Sequence, residues 1–218
     1  MKLRSFIFLF LAGLAQAQAQ DVFGYPLGPQ TDEAFRATCA RLAQYKFIKG
    51  NFEQEKALSR LERSLKSSGN FIIAAGQGMV WDTVKPFPST LTLGGDFMIQ
   101  SRPGGQRTVL SVQGNETFLR MAEVISAVFS GNARGLIDNF EIFYSVGVSG
   151  GAAAWEIGLS PIDKTINSFA QRIVIKGDAV IRSIQIYEQN GDSIKYVLSN
   201  HSFPAELDAR EKALFSYP

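Results

Sequence analysis

One cysteine and one histidine are present among the 218 residues. The lone thiol, Cys39, excludes an intramolecular disulfide, so stability has to come from packing. It falls in a helical stripe with Phe35 and Leu42 and reads as a small buried hydrophobe. The lone imidazole, His201, has no second His or Cys at ligand spacing, which excludes the common zinc sets. It sits in Asn200-His201-Ser202-Phe203-Pro204, a strand exit, and supplies no evident base for a nucleophile. Gly147-Val148-Ser149-Gly150-Gly151 has the letters of a nucleophile elbow, but that device needs strand, turn and helix, and strand material follows here. It reads as a hairpin tip. Gly94-Gly95 and Gly104-Gly105 read as turns, since neither opens a helix that could hold a phosphate. No catalytic set, metal or cofactor is therefore expected.

Charge of one sign is also scarce. The formal net charge is +2 with the signs mixed along the chain, which leaves no basic patch for phosphates, and no nucleic-acid partner is expected. Long apolar runs are missing as well. The run from Phe6 to Leu14 is roughly ten residues, short of the ~20 that span a bilayer. It follows Lys2 and Arg4 and precedes Ala15-Gln16-Ala17-Gln18-Ala19, the order of a secretory signal peptide cleaved after Ala17 or Ala19. Residues 1–19 are read as that signal, and residues 20–218 as a single mature domain outside the cytoplasm. No cysteine near the cleavage site could accept a lipid anchor.

What the chain does have is phenylalanine, 17 in all. Asp21 to Gln30, with Pro26, Gly28 and Pro29, is an extended lead-in. Thr31 or Asp32 then caps a helix predicted to reach Tyr45. From Phe47 the period becomes that of a strand, with Ile48, Phe52, Gln54, Lys56 and Leu58 on one face and a bend or bulge at Gly50. Arg60 to Lys66 reads as a turn, with a helical turn as the alternative, closed by Ser67-Ser68-Gly69-Asn70. Strands follow near 71–75, 78–82, 91–93, 97–101 and 107–112. Glu116 to Ser130 is predicted helical, capped near Asn115 and stopped at Gly131. Phe118, Met121, Ile125 and Phe129 belong to an apolar arc that covers most of its circumference. Such a helix is either buried in an ordinary core or covers a cavity and meets a ligand there. Strands then run near 139–146, 154–159, 168–176, 179–188 and 193–200, with a last short one near 214–217. At Asn190-Gly191-Asp192 a three-residue loop puts Ile184, Ile186, Ile194, Tyr196 and Leu198 on one face, whereas a two-residue loop would mix polar and apolar side chains on both. Many short strands, tight turns and few helices predict an α+β fold, mainly β: an unclosed antiparallel barrel whose mouth is covered by helices.

Phe52-x-Gln54, Gly78-x-x-Trp81, Lys85-Pro86, the strand Trp155 to Pro161 and the hairpin Ile184 to Asn200 occur in the order found in the LolA family of periplasmic lipoprotein carriers, which the chain resembles. The resemblance implies a half-barrel enclosing an apolar cavity for the acyl chains of a lipoprotein. It also implies a monomer that takes this cargo from an inner-membrane ABC transporter and passes it to an outer-membrane acceptor. Cavity and lid would comprise Phe52, Trp81, Phe118, Met121, Ile125, Phe129, Ile184, Ile186 and Tyr196. Members of the family often place an arginine before the proline of the third strand, where it latches the lid; Lys85 stands there, a point donor without the bidentate fork. A periplasmic sensor or lipid binder using the same half-barrel is the alternative.

Overall fold

Strand β1 (Phe47–Leu58) is the spine of the molecule. In the computed structural model, which describes residues 21–61, 63–94, 97–105, 107–111, 124, 126–149 and 152–216, it pairs with a strand on each side. Its even positions turn inward: Ile48 and Phe52 are buried, while Glu53 and Glu55 are exposed. The other strands are β2 (Arg63–Ala74), β3 (Gly78–Lys85), β4 (Ser89–Leu93), β5 (Phe97–Ser101), β6 (Arg107–Ser111), β7 (Phe140–Ser149), β8 (Ala152–Pro161), β9 (Arg172–Gly177), β10 (Ile181–Tyr187) and β11 (Ser193–Ser202). Together they form one antiparallel 11-stranded sheet in the order β6-β5-β4-β3-β2-β1-β11-β10-β9-β8-β7. Strands β6 and β7 are its edges and do not pair with each other, so the barrel is unclosed. Edge β7 is partly covered by the lead-in, where Leu27 donates to the Ile142 carbonyl at 2.8 Å and Tyr144 donates to the Tyr25 carbonyl at 2.9 Å.

The concave face and the helices enclose the main core. Helix α1 (Asp32–Leu42) buries Phe35, Thr38, Cys39 and Leu42. Its polar anchor is a buried Thr38–Tyr144 hydroxyl pair at 2.8 Å, and the Tyr144 hydroxyl also lies 3.2 Å from the Ala34 carbonyl. Burial pushes the Cys39 thiol up to about 11, which keeps it protonated and inert. Residues 126–129 are helical and contribute Ala127, Val128 and Phe129 to the same core. On the convex face Phe47, Ala74 and Leu207 make a second, small cluster, and a Lys49–Glu211 ion pair ties the C-terminal helix (Ala209–Leu214) to β1.

Several expectations are corrected. Helix α1 ends at Leu42 rather than Tyr45, with the Ala43 amide bonded to Cys39. The polar stretch from Arg63 to Asn70 is strand, not turn: β1 and β2 pair without interruption from Phe47↔Ala74 to Leu58↔Arg63, and only residues 59–61 form a short 3-10 turn. Cross-strand pairing of two equally polar segments outweighs local turn chemistry there. The irregularity expected at Gly50 is present between Lys49 and Asn51, with the extra residue on β11, where Asn200 takes φ 51°; a Cβ on Gly50 would stand 2.7 Å from both the Phe71 ring and the Ser199 carbonyl. Residues 164–169 are helical, started by Asp163, which accepts from the Thr165 and Ile166 amides, and β9 begins only at Arg172. The terminal segment expected as strand is the helix Ala209–Leu214, nucleated by an Asp208–Glu211 capping box. Residues 1–20, where the signal peptide is read, and most of 112–125 lie outside the described residues.

Candidate functional site

Alternation along four neighbouring strands assembles an aromatic group on the concave face. Phe52 of β1 stacks on Trp81 of β3 at 4.1 Å, and Trp81 meets Tyr196 of β11 edge-on at 5.3 Å and Phe71 of β2 at 5.8 Å. Phe52 can reach Trp81 across β2 because its direct partner in β2 is Gly69, which has no side chain. Gly69 also admits the Asp82 carbonyl, 1.9 Å from where a Cβ would be. Burial pushes the Tyr196 phenol up to about 12, and the Glu188 carboxylate adds to this, so it stays neutral.

The hairpin has a three-residue loop, one position earlier than Asn190-Gly191-Asp192, at residues 189–191 closed by the Glu188 amide on the Asp192 carbonyl; Ile184 is opposite Tyr196 and Ile186 opposite Ile194, so the expected face is kept. Ile184, Ile186, Leu91 and Met98 are half-buried against the core and extend the apolar surface on both sides of the aromatic group. At its rim Lys56 donates to both Glu188 oxygens, at 2.9 and 3.1 Å.

Towards the opposite end of the trough a cavity of about 410 Å³ opens between the β2–β3 hairpin and the helical residues 126–129. Its apolar lining is Ile73, Met79, Leu93, Ala127 and Phe129, and Gln77, Ser130, Asn132 and Asn139 give it a polar border. Volume and lining fall in the range of small-molecule sites. Among the residues expected to form cavity and lid, Phe129 borders this space. Phe52, Trp81, Ile184, Ile186 and Tyr196 lie farther along the same face, while Phe118, Met121 and Ile125 are outside the described residues. Met79 was legible in Gly78-x-x-Trp81, since it shares the parity of Trp81; Ile73, Leu93 and Ala127 carried no such mark. Lys85 is exposed and pairs with Ser68 just after a β-bulge at Val84, and no hydrogen bond joins its side chain to a described residue.

His201 faces the same interior. Its ring meets Phe71 edge-on at 5.8 Å, and its Nδ1 is buried without a hydrogen-bond partner among the described residues. Burial, then the charge of Arg182, holds its pKa below the usual 6.5, against weaker opposing effects of the Ile181 backbone and Asp178. A depressed folded value means that neutral His201 contributes stability present above the unfolded pKa and lost as pH falls through the folded one. Urea midpoints measured from about pH 7.5 to about pH 5 are expected to fall for the native chain, and to fall less for His201→Leu.

The described residues hold no cluster of three or more His, Cys, Asp or Glu that could bind a metal, and none of their helices is long and apolar enough to cross a membrane. Ser149 ends strand β7 and strand β8 resumes at Ala152, so it does not head a helix. What the arrangement offers is apolar surface and enclosed volume.

Residues 33–213 match the family model described as "Outer membrane lipoprotein carrier protein LolA-like". No curated protein matches the chain. Among solved structures, a LolA superfamily protein from Nitrosomonas europaea is similar at 8% identity, with 85% of this chain and 97% of that one covered and a TM-score of 0.45. A putative outer membrane lipoprotein-sorting protein domain from Vibrio parahaemolyticus gives 13% identity, 84% and 97% coverage and a TM-score of 0.44. A DUF1329 family protein from Desulfovibrio piger gives 10% identity, 85% and 97% coverage and a TM-score of 0.49.

Proposed function

We propose, from the premise that this chain belongs to the LolA-like family of outer membrane lipoprotein carrier proteins, that it shelters the acyl chains of a lipoprotein in its concave trough and carries them between membranes. The observation that carries this reading is the cavity of about 410 Å³ with its apolar floor and polar border. An acyl chain moved from water into such a space gains about 0.8 kcal/mol per CH₂ buried, so no catalytic group is required to hold it. The polar border suits the point where chain meets headgroup or peptide. In this reading residues 20–218 work in the periplasm after removal of residues 1–19. Cargo comes from an inner-membrane ABC transporter and leaves to an outer-membrane acceptor. Phe52, Trp81, Ile184, Ile186 and Tyr196 extend the apolar track, Phe118, Met121, Ile125 and Phe129 cover it, and Lys85 takes the latch position.

Mass spectrometry of material co-purified from the native periplasm tests this. Acylated lipoprotein is expected; free phospholipid would make the protein a lipid binder, and a polypeptide partner without lipid would make it a sensor. Ser126 is exposed yet borders the cavity. Ser126→Trp is expected to fill the space and lower the acylated material recovered by about tenfold, with an unchanged far-ultraviolet circular dichroism spectrum, since the lost burial of two or three CH₂ groups already corresponds to that factor. Full recovery of cargo by the folded variant would place the acyl chain elsewhere.

A further inference from the structure

Cations that are scattered in the sequence are gathered by the sheet. In an antiparallel sheet every second hairpin opens at the same end, so the β1–β2, β3–β4 and β5–β6 turns share one end of the sheet; the β3–β4 turn lies level with Ser68, the partner of Lys85, and the β1–β2 hairpin projects beyond it through residues 59–67. These turns and their flanks carry Arg60, Arg63, Lys66, Lys85, Arg102 and Arg107, all exposed. The same stretches, residues 59–67, 84–90 and 101–109, contain one acid, Glu62. At the flank of this end Asp192 accepts from Ser59, and Glu188 is paired with Lys56. Of the six cations, only Lys66 has an ion pair among the described residues, a loose one to Glu55 at 4.0 Å.

Interleaved with the cations are apolar side chains that the core does not use. Phe87 is 82% exposed, Leu61 63%, Leu65 58% and Val84 46%. Phe87 stands between Pro86 and Pro88 at the turn of a hairpin, where it cannot fold back on a strand. Exposed aromatic and aliphatic residues rimmed by lysine and arginine suit one environment: apolar side chains enter the acyl boundary while the cations meet anionic headgroups.

We infer that this end of the sheet is a docking surface for an anionic lipid bilayer, with Phe87 as the inserting residue, Lys66, Lys85, Arg102 and Arg107 as the cations flanking its turn, and Arg60 and Arg63 on the projecting β1–β2 hairpin. Charge complementarity selects the occupant, because the flanking residues are cationic on both sides of Phe87. The surface lies at the opposite end of the strands from the β2–β3 hairpin that borders the cavity, so docking leaves the cavity border unobstructed.

The test uses the full mature chain, free of cargo, in co-sedimentation with vesicles of phosphatidylcholine alone or mixed with phosphatidylglycerol. Binding is expected only to the anionic vesicles and should weaken as salt rises, because the Debye length shortens. The double variant Arg102→Glu, Arg107→Glu is expected to bind at least about tenfold more weakly, and Phe87→Ser about fivefold. Both changes are at exposed positions, and circular dichroism and urea midpoints should match those of the native chain. Absence of binding to anionic vesicles at low salt would overturn the proposal, as would binding that neither folded variant reduces. Capture of an acidic protein by this end without vesicle binding would also overturn it. Cargo recovery in the Ser126→Trp experiment is independent of these outcomes, so docking and carriage can fail separately.

Discussion

Gly131→Ala is expected to destabilise the protein by about 3 kcal/mol or more, a large part of a domain's total stability. Gly131 has φ 61° and ends the helical segment of residues 126–129. The Asn132 amide reaches back to Ala127 and the Gly131 amide to Val128, at 2.9 and 3.4 Å, the pair of bonds that closes a helix through a left-handed residue. An alanine there loses about 1–2 kcal/mol to its backbone conformation alone. Its Cβ would also stand 2.0 Å from the Cys39 carbonyl oxygen, a backbone atom of α1 that no rotamer change can move. Relief requires α1 and the segment carrying Phe129 to separate, and that segment lines the cavity. Urea unfolding should show a lower midpoint, and an apolar dye should bind more strongly to the variant. A midpoint within experimental error of the native one would mean that the α1 contact is not tight in solution.

Phe52→Ala is expected to cost about 3–5 kcal/mol, the range for deleting a buried phenylalanine where the surroundings collapse only partly. Phe52 is 1% exposed, stacks on Trp81 at 4.1 Å and stands on the central strand of the sheet. The space left would be bounded by the rigid Trp81 ring and by the backbone at Gly69, neither of which can readily fill it. Phe52→Leu should lose less, because much of the volume is kept. Chemical denaturation followed by Trp81 and Trp155 fluorescence measures both; a Phe52→Ala loss below about 1 kcal/mol would show that the aromatic group does not bear on stability.

Legibility in the sequence followed the range of the forces involved. The strand parity of Phe52, Gln54 and Lys56, the loop length at Asn190-Gly191-Asp192 and the helix stop at Gly131 were readable because each is decided within a few residues. Arg63 to Asn70 was misread because its strand state depends on a partner. The helices at 164–169 and 209–214 are short and depend on caps, Asp163 and Asp208, that composition did not bring forward. The Phe52–Trp81 contact was implied only as shared membership of a cavity wall, while the space actually enclosed lies beside Met79, Leu93 and Phe129.

By itself, the sequence determined that stability would come from apolar packing and that an antiparallel sheet with one apolar face would have to curve around its own interior. Single copies of cysteine and histidine and the period-two alternation sufficed for that, since they are properties of the chain. Only the tertiary structure decided where the interior stays open and how the surface charge is arranged. Both depend on which strand ends become neighbours: three hairpins distant in sequence gather six cations at the end of the sheet that carries Phe87, a pattern that neither net charge nor any local window records.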